Sequence, residues 1–583
     1  MITARPGSAA AHRMDGHPWT STNGIALRDL VPERLRRSWV AKGWCPDQDL
    51  YSLFHEAVRA HPDRTAIVDP AGTVDYASLD RLVRGVAAAL ADSGHGPRDV
   101  IGIQAPNGRW AAVAELAIAA VGAVALPHPP GRGWRDTVGL LGRSRASALI
   151  VTETAGQTPL AANVARLRPR LPFLKSVFVL GKAPAGCRSL DPWLGDTAAG
   201  RWPPQPVDPE APARILVSSG SEAEPKMVAY THNALAGGRA SYVAALHDGC
   251  QPMRNLILVP LFSAFGSCGT SVTLARLGGT MLLLDRFDPA AALRMITEHR
   301  PTHVFGVPTM LLRMARKRPA PGEDLSSLSA LVASGATLHP TTIEACQRRF
   351  GCPVVNVYGS ADGVNCHTMP QDSPPGEGHV GRPDPAVAEI RIVAGDGKAA
   401  PAGQPGEIWA RGPMTPLCYV NAAELDQRYR SPDGWVRTGD RGLLDAEGRL
   451  WVIERIKQVV IRGGYTISPA EVEQQLHTHP AIADAVCVIM PDPELGERLC
   501  ACIAQPAGTT RLTLADVCAF LRDERGLEPR KLPEALVVLP ELPLGPTGKV
   551  CRQTLSRLAA VNADRRGRTG VGPAPSRSDR TQP

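Results

Sequence analysis

The sequence contains no hydrophobic run long enough to cross a membrane. Its longest apolar segment, residues 111–126, is interrupted by Glu115 and Gly122 and is shorter than the roughly 20 residues that a spanning helix needs. The N-terminal residues 1–19 also lack the apolar stretch of a secretory signal peptide. These absences exclude an integral membrane protein and predict a cytoplasmic protein that has no membrane partner.

The 13 cysteines include no Cys-x-x-Cys pair. They are odd in number and scattered along the chain, so the sequence predicts reduced thiols rather than a disulfide framework. A structural zinc site is disfavoured as well, because such sites use closely spaced cysteine and histidine ligands.

Clustered positive charge is missing from most of the chain. The formal net charge of the 583 residues is +8, but residues 1–40 carry six arginines against three acidic residues, and residues 561–583 carry five against two. The two ends therefore supply six of the eight excess charges. A groove for nucleic acid needs cations gathered on one face, so the sequence predicts no nucleic-acid partner.

Short apolar runs, such as the predicted strand at residues 176–180, alternate with helical patterns, such as the predicted helix at residues 82–92. This alternation through most of the chain is typical of parallel sheets wound with helices. We expect an α/β protein with a large N-terminal domain and a small mobile α+β C-terminal domain. The predicted boundaries are a disordered leader over 1–24, a core over 25–456 with a β subdomain at about 385–456, a C-terminal lid over 457–560, and a disordered tail over 561–583.

A hinge pattern joins the two predicted domains. Asp440 follows Thr438-Gly439 at a predicted turn, where a carboxylate could accept hydrogen bonds from the two hydroxyls of a ribose. Arg455 and Lys457 follow a strand pattern. A helix then starts at Ser468-Pro469-Ala470-Glu471, which has the residue types of a capped N-terminus.

A small-residue loop follows the strand pattern at residues 215–217. It contains Ser219, Gly220 and Ser221 and ends at Lys226. Backbone amides and hydroxyls in such a loop can bind phosphate oxygens, and the lysine adds a point charge. An ordinary polar connection is the alternative interpretation of the same residues.

Asn356-Val357-Tyr358-Gly359-Ser360-Ala361-Asp362 lies where a predicted parallel strand ends, which is the edge at which open α/β sheets bind ligands. Together with the loop at 218–226, the pair Thr231-His232, the segment Ser334-Gly335-Ala336, the hinge and Gly545-Pro546-Thr547-Gly548-Lys549, this order of motifs resembles the adenylate-forming superfamily. That superfamily contains acyl-CoA synthetases, peptide-synthetase adenylation domains and firefly luciferase.

Two features make the chain most similar to stand-alone aryl acid AMP ligases of the 2,3-dihydroxybenzoate type. Ala361, followed by an acid and a glycine, replaces the usual threonine, and residues 35–44 resemble the N-terminal extension of that group. Glu222, Ala223 and Asp362 depart from the common superfamily pattern of threonine, glycine and glutamate.

The resemblance implies an AMP-forming ligase that uses ATP and Mg²⁺. Lys549 and Asp362 would be catalytic, with Asp362 supporting the metal, and Lys457 would be the hinge. The implied nucleotide contacts are Ser219, Gly220, Ser221, Lys226, Ala336, Tyr358, Gly359, Asp440 and Arg455.

The resemblance places the acid pocket at Ser263, Ala264, Phe265, Gly269 and Gly335. A His-Asn pair and a serine that read ring hydroxyls in the dihydroxybenzoate enzymes are replaced here by Ser263, Ala264 and Gly269. A site without donors does not select a hydroxylated ring, so we expect another aryl or heteroaryl acid.

The implied acceptor is the phosphopantetheine thiol of a separate carrier protein. Two alternatives remain at this point: a ligase that uses CoA or an unusual nucleophile, and a weakly active homologue that binds a nucleotide.

Overall fold

The structure is a computed structural model, and it describes residues 19–130, 133–200, 202–218, 225–247, 249, 251–336, 338, 340–371, 379–455, 459–492, 494–505, 510–543 and 550–567. It divides into two compact units. The larger comprises residues 1–220, 224–458 and 463–466, and the smaller comprises residues 221–223, 459–462 and 467–583. The predicted hinge residue Lys457 lies outside the described residues.

Two eight-stranded sheets form most of the larger unit, which confirms the predicted α/β class. Their central strands are parallel and buried on both faces, as continuous apolar runs such as Ala148–Thr152 require. The first sheet has the strand order Cys418–Tyr419, Lys226–Thr231, Pro212–Ser218, Val124–Pro127, Val100–Gln104, Ala148–Thr152, Ser176–Leu180, Arg188–Ser189. The second has the order Val364–His367, Val354–Ser360, Ala330–Ser334, His303–Gly306, Arg254–Ile257, Thr280–Leu283, Thr65–Asp69, Gly72–Asp75.

Helices connect these strands, and three of them join both sheets in one hydrophobic cluster: Leu50–Ala60, Tyr76–Asp92 and Arg109–Ala120. The remaining α-helices of the larger unit are Glu33–Ala41, Trp134–Arg143, Leu160–Leu167, Asp196–Ala199, His232–Ala236, Gly238–Ala245, Pro289–His299, Pro308–Ala315, Pro340–Phe350 and Ala423–Tyr429. A π-helix covers Gly269–Arg276, and 3₁₀ turns cover Arg168–Arg170 and Asp191–Trp193. Among the described residues, no helix is both long and apolar enough to span a membrane.

An antiparallel sheet occupies the predicted β subdomain, with the strand order Glu389–Val393, Gly406–Arg411, Val436–Leu444, Leu450–Arg455. The prediction that Asp440 lies at a turn is wrong, because this residue lies inside the Val436–Leu444 strand. Gly439 adopts a left-handed φ of 72° and the pairing with the neighbouring strand is interrupted there, so the glycine forms a bulge that does not end the strand.

The smaller unit is a compact α+β domain. Its central strand, Gly496–Ala504, pairs antiparallel with Asp484–Asp492 and Val460–Arg462 and parallel with Ala535–Leu539. Ser468 caps the helix Pro469–Leu476 by accepting a hydrogen bond from the Glu471 amide, as predicted. The other elements after residue 462 are the strand Tyr465–Ile467, the helices Leu514–Ala519 and Arg552–Gly567, the π-turn Phe520–Glu524 and the 3₁₀ turn Pro529–Lys531.

Order extends beyond both predicted ends of the folded region. The expected leader reaches residue 24, yet Trp19–Thr20 pairs with Ala26–Leu27, and Trp19 is buried in a hydrophobic cluster. At the other end, the helix Arg552–Gly567 continues past the expected boundary at residue 560. Burial of the large apolar side chain of Trp19 favours packing of its segment against the larger unit. The residues around Trp19 are mostly polar, so the sequence has no apolar pattern there that would predict this packing.

Candidate active site

The predicted nucleotide residues meet where parallel strands of the second sheet end. Ser334, the last residue of the strand Ala330–Ser334, is in register with Val357 of the neighbouring strand. Gly335 and Ala336 therefore follow the first strand at the level where Tyr358 and Gly359 follow Val357 on the second. Gly335 is exposed and has a φ of 86°, a left-handed backbone that favours glycine. The carboxyl edge of this sheet therefore presents Gly335, Ala336, Tyr358 and Gly359 together.

Tyr358 links this edge to the β subdomain. Its hydroxyl donates a hydrogen bond of 2.7 Å to the carboxylate of Asp440. Asp440 is only 2% exposed, and its backbone amide donates to the Thr438 hydroxyl at 3.1 Å. On the neighbouring strand, Arg455 is the backbone partner of Asp440. The three positions predicted for adenine and ribose thus lie next to one another, although they are far apart in sequence.

A second group forms around Lys226 and Asp362. The Lys226 ammonium lies 3.6 Å from the Asp362 carboxylate, and both side chains are buried. Tyr419 donates a hydrogen bond of 2.6 Å to the same carboxylate, and the Lys226 ammonium lies 4.1 Å from the ring centre of Tyr429. Burial, and then the charge of Asp362, raises the pKa of Tyr419 well above its ordinary value, so this hydroxyl remains a donor.

Tyr419 and Tyr429 are site residues that the sequence does not reveal. Tyr419 reaches the site because its short strand pairs with Lys226–Thr231, with Tyr419 in register with Val228. Tyr429 ends the helix Ala423–Tyr429. No motif surrounds either tyrosine, and only the pairing of distant strands brings them to Lys226.

The donor set at Asp362 fits magnesium bound together with a nucleotide. Within the described part of the chain, no group of three or more histidine, cysteine, aspartate or glutamate side chains could hold a metal ion. Mg²⁺ commonly uses one or two carboxylates and takes its other ligands from phosphates and water. A single buried carboxylate beside the phosphate lysine matches that pattern, and Asp362 is the residue that would support the ion.

The described residues that flank the predicted phosphate loop pair with each other. Ser218 pairs with Lys226 across two antiparallel strands, so residues 219–225 connect the strands of a hairpin. The loop residues Ser219, Gly220 and Ser221 lie outside the described residues, as does Lys549. Their roles remain predictions from the sequence, and so does that of Arg455, for which the backbone position alone is described.

The Thr231-His232 pair has a structural role. Thr231 caps the helix His232–Ala236 by accepting a hydrogen bond from the Ala234 amide. The His232 ring is fully buried and accepts a hydrogen bond from the Leu50 amide through Nδ1. Burial lowers the pKa of His232, which keeps the ring neutral.

The predicted acid pocket begins after the strand Arg254–Ile257. Ser263, Ala264 and Phe265 are half-buried there, and the Phe265 ring centre lies 5.8 Å from that of Phe305. The Ser263 hydroxyl donates to the Pro260 carbonyl at 2.7 Å and accepts from the Gly266 amide at 2.9 Å. This hydroxyl therefore stabilises its own turn.

Gly269 differs from the other predicted pocket residues. A Cβ atom at this position would lie 2.6 Å from the Met281 sulfur and 2.8 Å from a methyl group of Leu261, and both neighbours are buried. A glycine is needed there for packing. Its contact with the substrate remains a prediction.

Sequence comparison agrees with this geometry. The profile of AMP-binding enzymes matches residues 54–420, and that of the AMP-binding enzyme C-terminal domain matches residues 471–549. The chain belongs to the AMP-binding enzyme family. It is an AMP-forming ligase, as the sequence predicts, and its mixed α/β architecture is that of adenylate-forming enzymes.

Several characterised family members are similar to this chain over most of its length. The salicyl-AMP ligase / salicyl-S-ArCP synthetase of Mycobacterium tuberculosis is 31% identical over 94% of this chain and 97% of its own length. The 2-hydroxy-7-methoxy-5-methyl-1-naphthoate–CoA ligase of Streptomyces carzinostaticus is 30% identical over 91% of this chain and 96% of its own. Among solved structures, the amide bond synthetase McbA from Marinactinospora thermotolerans superposes with a TM-score of 0.78 at 28% identity, covering 88% of this chain and all of that one.

Proposed function

We propose that this AMP-binding enzyme activates an aryl or heteroaryl carboxylic acid as an acyl-AMP and transfers the acyl group to the phosphopantetheine thiol of a separate carrier protein. The observation that carries the first step is the contact between Tyr358 and Asp440 beside the Lys226–Asp362 pair. This arrangement supports the proposal because Tyr358 and Asp440 could bind a nucleoside while Lys226 binds its phosphates, close to the carboxyl ends of the second sheet's strands.

In the first half-reaction, the substrate carboxylate attacks the α-phosphorus of ATP, and pyrophosphate leaves with the electrons of the broken P–O bond. Asp440 is positioned to accept hydrogen bonds from the ribose hydroxyls, and Tyr358 fixes its carboxylate for that contact. Lys226 supplies positive charge where the leaving phosphates collect. Mg²⁺, when bound, would neutralise phosphate charge, and Asp362 is the residue that would hold it.

In the second half-reaction, a thiolate attacks the acyl carbon and AMP leaves. The family resemblance assigns Lys549 to the first half-reaction only, because the smaller domain is expected to turn about Lys457 between the two. A glycine pair at Gly463-Gly464, with φ values of 56° and 82°, would then line a narrow path for the pantetheine arm.

The aryl character of the acid is supported by the relatives and by the pocket. The names of two relatives specify salicylate and a substituted naphthoate. The half-buried ring of Phe265 offers aromatic surface beside Ala264, and the fully buried ring of Phe305 packs behind it.

A second candidate acceptor is an amine, which would give an amide in place of a thioester. The structural similarity to an amide bond synthetase favours this alternative. Coenzyme A is a third acceptor, favoured by the naphthoate–CoA ligase. All three share the first half-reaction, so the experiment that tests the proposal begins there.

The test is acid-dependent exchange of labelled pyrophosphate into ATP across a panel of aryl, heteroaryl and aliphatic acids. We expect exchange that depends on an aryl or heteroaryl acid and on Mg²⁺. Absence of exchange with every acid would reject adenylation. With the best acid, incubation with a phosphopantetheinylated carrier protein, CoA or a simple amine, followed by mass spectrometry, then identifies the acceptor.

A further inference from the structure

A buried arginine lies behind the predicted acid pocket. Arg239 is in the first turn of the helix Gly238–Ala245 and is only 4% exposed. Its Nη1 group donates to the Ala264 carbonyl at 3.3 Å and to the Ser267 hydroxyl. The guanidinium also lies 4.9 Å from the ring centre of Tyr230. These contacts attach Arg239 directly to the segment that is predicted to face the acid.

In the part of the chain that the structure describes, no acidic side chain neutralises the charge of Arg239. Among the described residues, no carboxylate lies within ion-pair distance of its guanidinium. Arg214 provides the contrast in the same region: it is fully buried, pairs with Glu115 and donates to the Leu261 carbonyl at 2.7 Å. A buried cation without a partner is costly, and the first turn of a helix is an unfavourable place for positive charge. Both costs would be offset by a bound anion.

Arg239 is separate from the group formed by Lys226 and Asp362, which is predicted to bind the phosphates. Tyr230 lies between the two, because its ring faces Arg239 and its hydroxyl donates to the Ala361 carbonyl at 2.7 Å. Asp362, the next residue, is already paired with Lys226. Arg239 instead contacts the segment of the predicted ring pocket, through the Ala264 carbonyl. The anion that Arg239 would bind is therefore part of the acid substrate.

We propose that Arg239 binds a second carboxylate on the aryl acid, so that the preferred substrate is an aromatic dicarboxylic acid activated at one of its two carboxyl groups. A guanidinium has five donors and no acceptor, and a carboxylate is the group that pairs with it most fully. A neutral phenol can accept one hydrogen bond from the guanidinium, but it has neither the second oxygen nor the negative charge of a carboxylate. This specificity rests on the adenylation proposed above.

The test compares matched benzoic acids in the pyrophosphate exchange assay. There are three sets of four compounds, one set for each of the ortho, meta and para positions. Within a set, the compounds carry a second carboxylate, its methyl ester, a hydroxyl or a hydrogen at that position. In the native enzyme, one dicarboxylate should exceed its methyl ester in kcat/KM by roughly tenfold or more, the size of discrimination expected when a buried donor is left without a partner. Equal rates for that pair at all three positions would overturn the inference.

Two variants separate recognition from structural support. Arg239→Met should abolish the preference for the dicarboxylate over its ester, and the ratio of the two rates is read in each variant independently of its absolute activity. Arg239→Lys, which keeps the charge, should retain part of the preference even if Arg239→Met does not fold. The matched control is Arg316→Met, at an exposed arginine of the same unit, and it should leave the preference unchanged.

The outcomes distinguish the two proposals. Loss of activity on every acid by the same factor in both Arg239 variants would show that Arg239 only supports the turn at Ala264, and would overturn substrate recognition. Exchange with simple monocarboxylic acids but no preference for a second carboxylate would reject the inference and leave adenylation intact. Absence of exchange with all acids in the native enzyme would reject adenylation itself.

Discussion

The Tyr358 hydroxyl donates a hydrogen bond of 2.7 Å to the Asp440 carboxylate, and this contact joins the second large sheet to the β subdomain. The residues are 82 positions apart in the chain. Tyr358 lies in the strand Val354–Ser360, one residue beyond its parallel pairing, and Asp440 lies in an antiparallel strand beside a bulge. If Asp440 binds the ribose and Tyr358 the base, as we propose, Tyr358 would have a second function, because its hydroxyl also orients the carboxylate that would hold the sugar.

Tyr358→Phe tests the second of these functions. It removes a hydrogen bond to a charged group, which is typically worth about 1.5–3 kcal/mol, and keeps the aromatic ring. We expect KM for ATP to rise on the order of tenfold in the exchange assay, with a smaller change in kcat. Tyr51→Phe is the matched control, since Tyr51 donates a similar bond of 2.8 Å to Asp80 outside the site and is expected to affect stability only. Unchanged KM in Tyr358→Phe would contradict this role.

Asp362→Asn tests metal support. The amide can still accept the hydrogen bond from Tyr419 but carries no charge for Lys226 or for a cation. We expect the Mg²⁺ concentration for half-maximal exchange to rise by about 10–100-fold, the range seen when partners of a metal site are removed. Asp362→Glu keeps the carboxylate and should change this concentration only a few-fold. An Asn variant with the native Mg²⁺ dependence would place the metal elsewhere.

Ala264→Asn tests the location of the acid pocket. The added amide can pair with an ortho hydroxyl, worth about 1 kcal/mol, and it overfills space used by the native ring at a cost of about 1–3 kcal/mol. Preference should therefore shift towards salicylate and 2,3-dihydroxybenzoate by roughly ten- to several-hundred-fold in relative kcat/KM. Ala264→Leu fills the same space without a donor and should only weaken the native acid. If both variants rank the acids as the native enzyme does, the pocket lies elsewhere.

His367 should make the larger unit sensitive to acid. Burial lowers the pKa of His367 from 6.5 to about 4, with Asp384 opposing the shift. Above pH 6.5 the ring is neutral in both states. Below it the unfolded chain binds a proton first, so stability is lost as pH falls from 6.5 towards 4, by about 2 kcal/mol at pH 5.

His367→Phe is the corresponding variant, because it keeps an aromatic ring against Tyr242, whose ring centre is 5.4 Å away. Urea unfolding at pH 7.5 and pH 5 should show a smaller loss of stability in this variant than in the native protein. His61→Phe, at an exposed histidine, serves as the control and should follow the native protein. An identical loss in the native protein and in His367→Phe would show that His367 does not contribute.

The sequence predicted a helix or strand correctly where the apolar pattern within that one element reflects its burial. The strand Ser176–Leu180 has the predicted bounds because all five residues are buried and apolar or small. The helix predicted from Leu82 begins six residues earlier, at Tyr76, because Asp75 caps it by accepting from the Ser78 amide at 2.6 Å. A cap of this kind shifts an element boundary without changing the apolar pattern.

The sequence predicted the residues of the candidate site less completely than it predicted the fold. Tyr358 and Asp440 could be predicted because they belong to an ordered set of motifs that resembles the adenylate-forming superfamily. Tyr419 and Arg239 belong to no motif, and both gain their importance from burial next to a group far away in sequence. Spacing along the chain carries no information about such contacts, whereas strand pairing and helix packing determine them.

The central claim is that the acid is activated by transfer of AMP to its carboxylate. The most direct measurement uses a substrate acid labelled with heavy oxygen in its carboxyl group, with mass spectrometry of the released nucleotide after complete turnover to the thioester. The account predicts AMP that carries one heavy oxygen from each substrate molecule, and no label transfer with Lys549→Ala. Formation of ADP and phosphate, or of AMP without heavy oxygen, would contradict it.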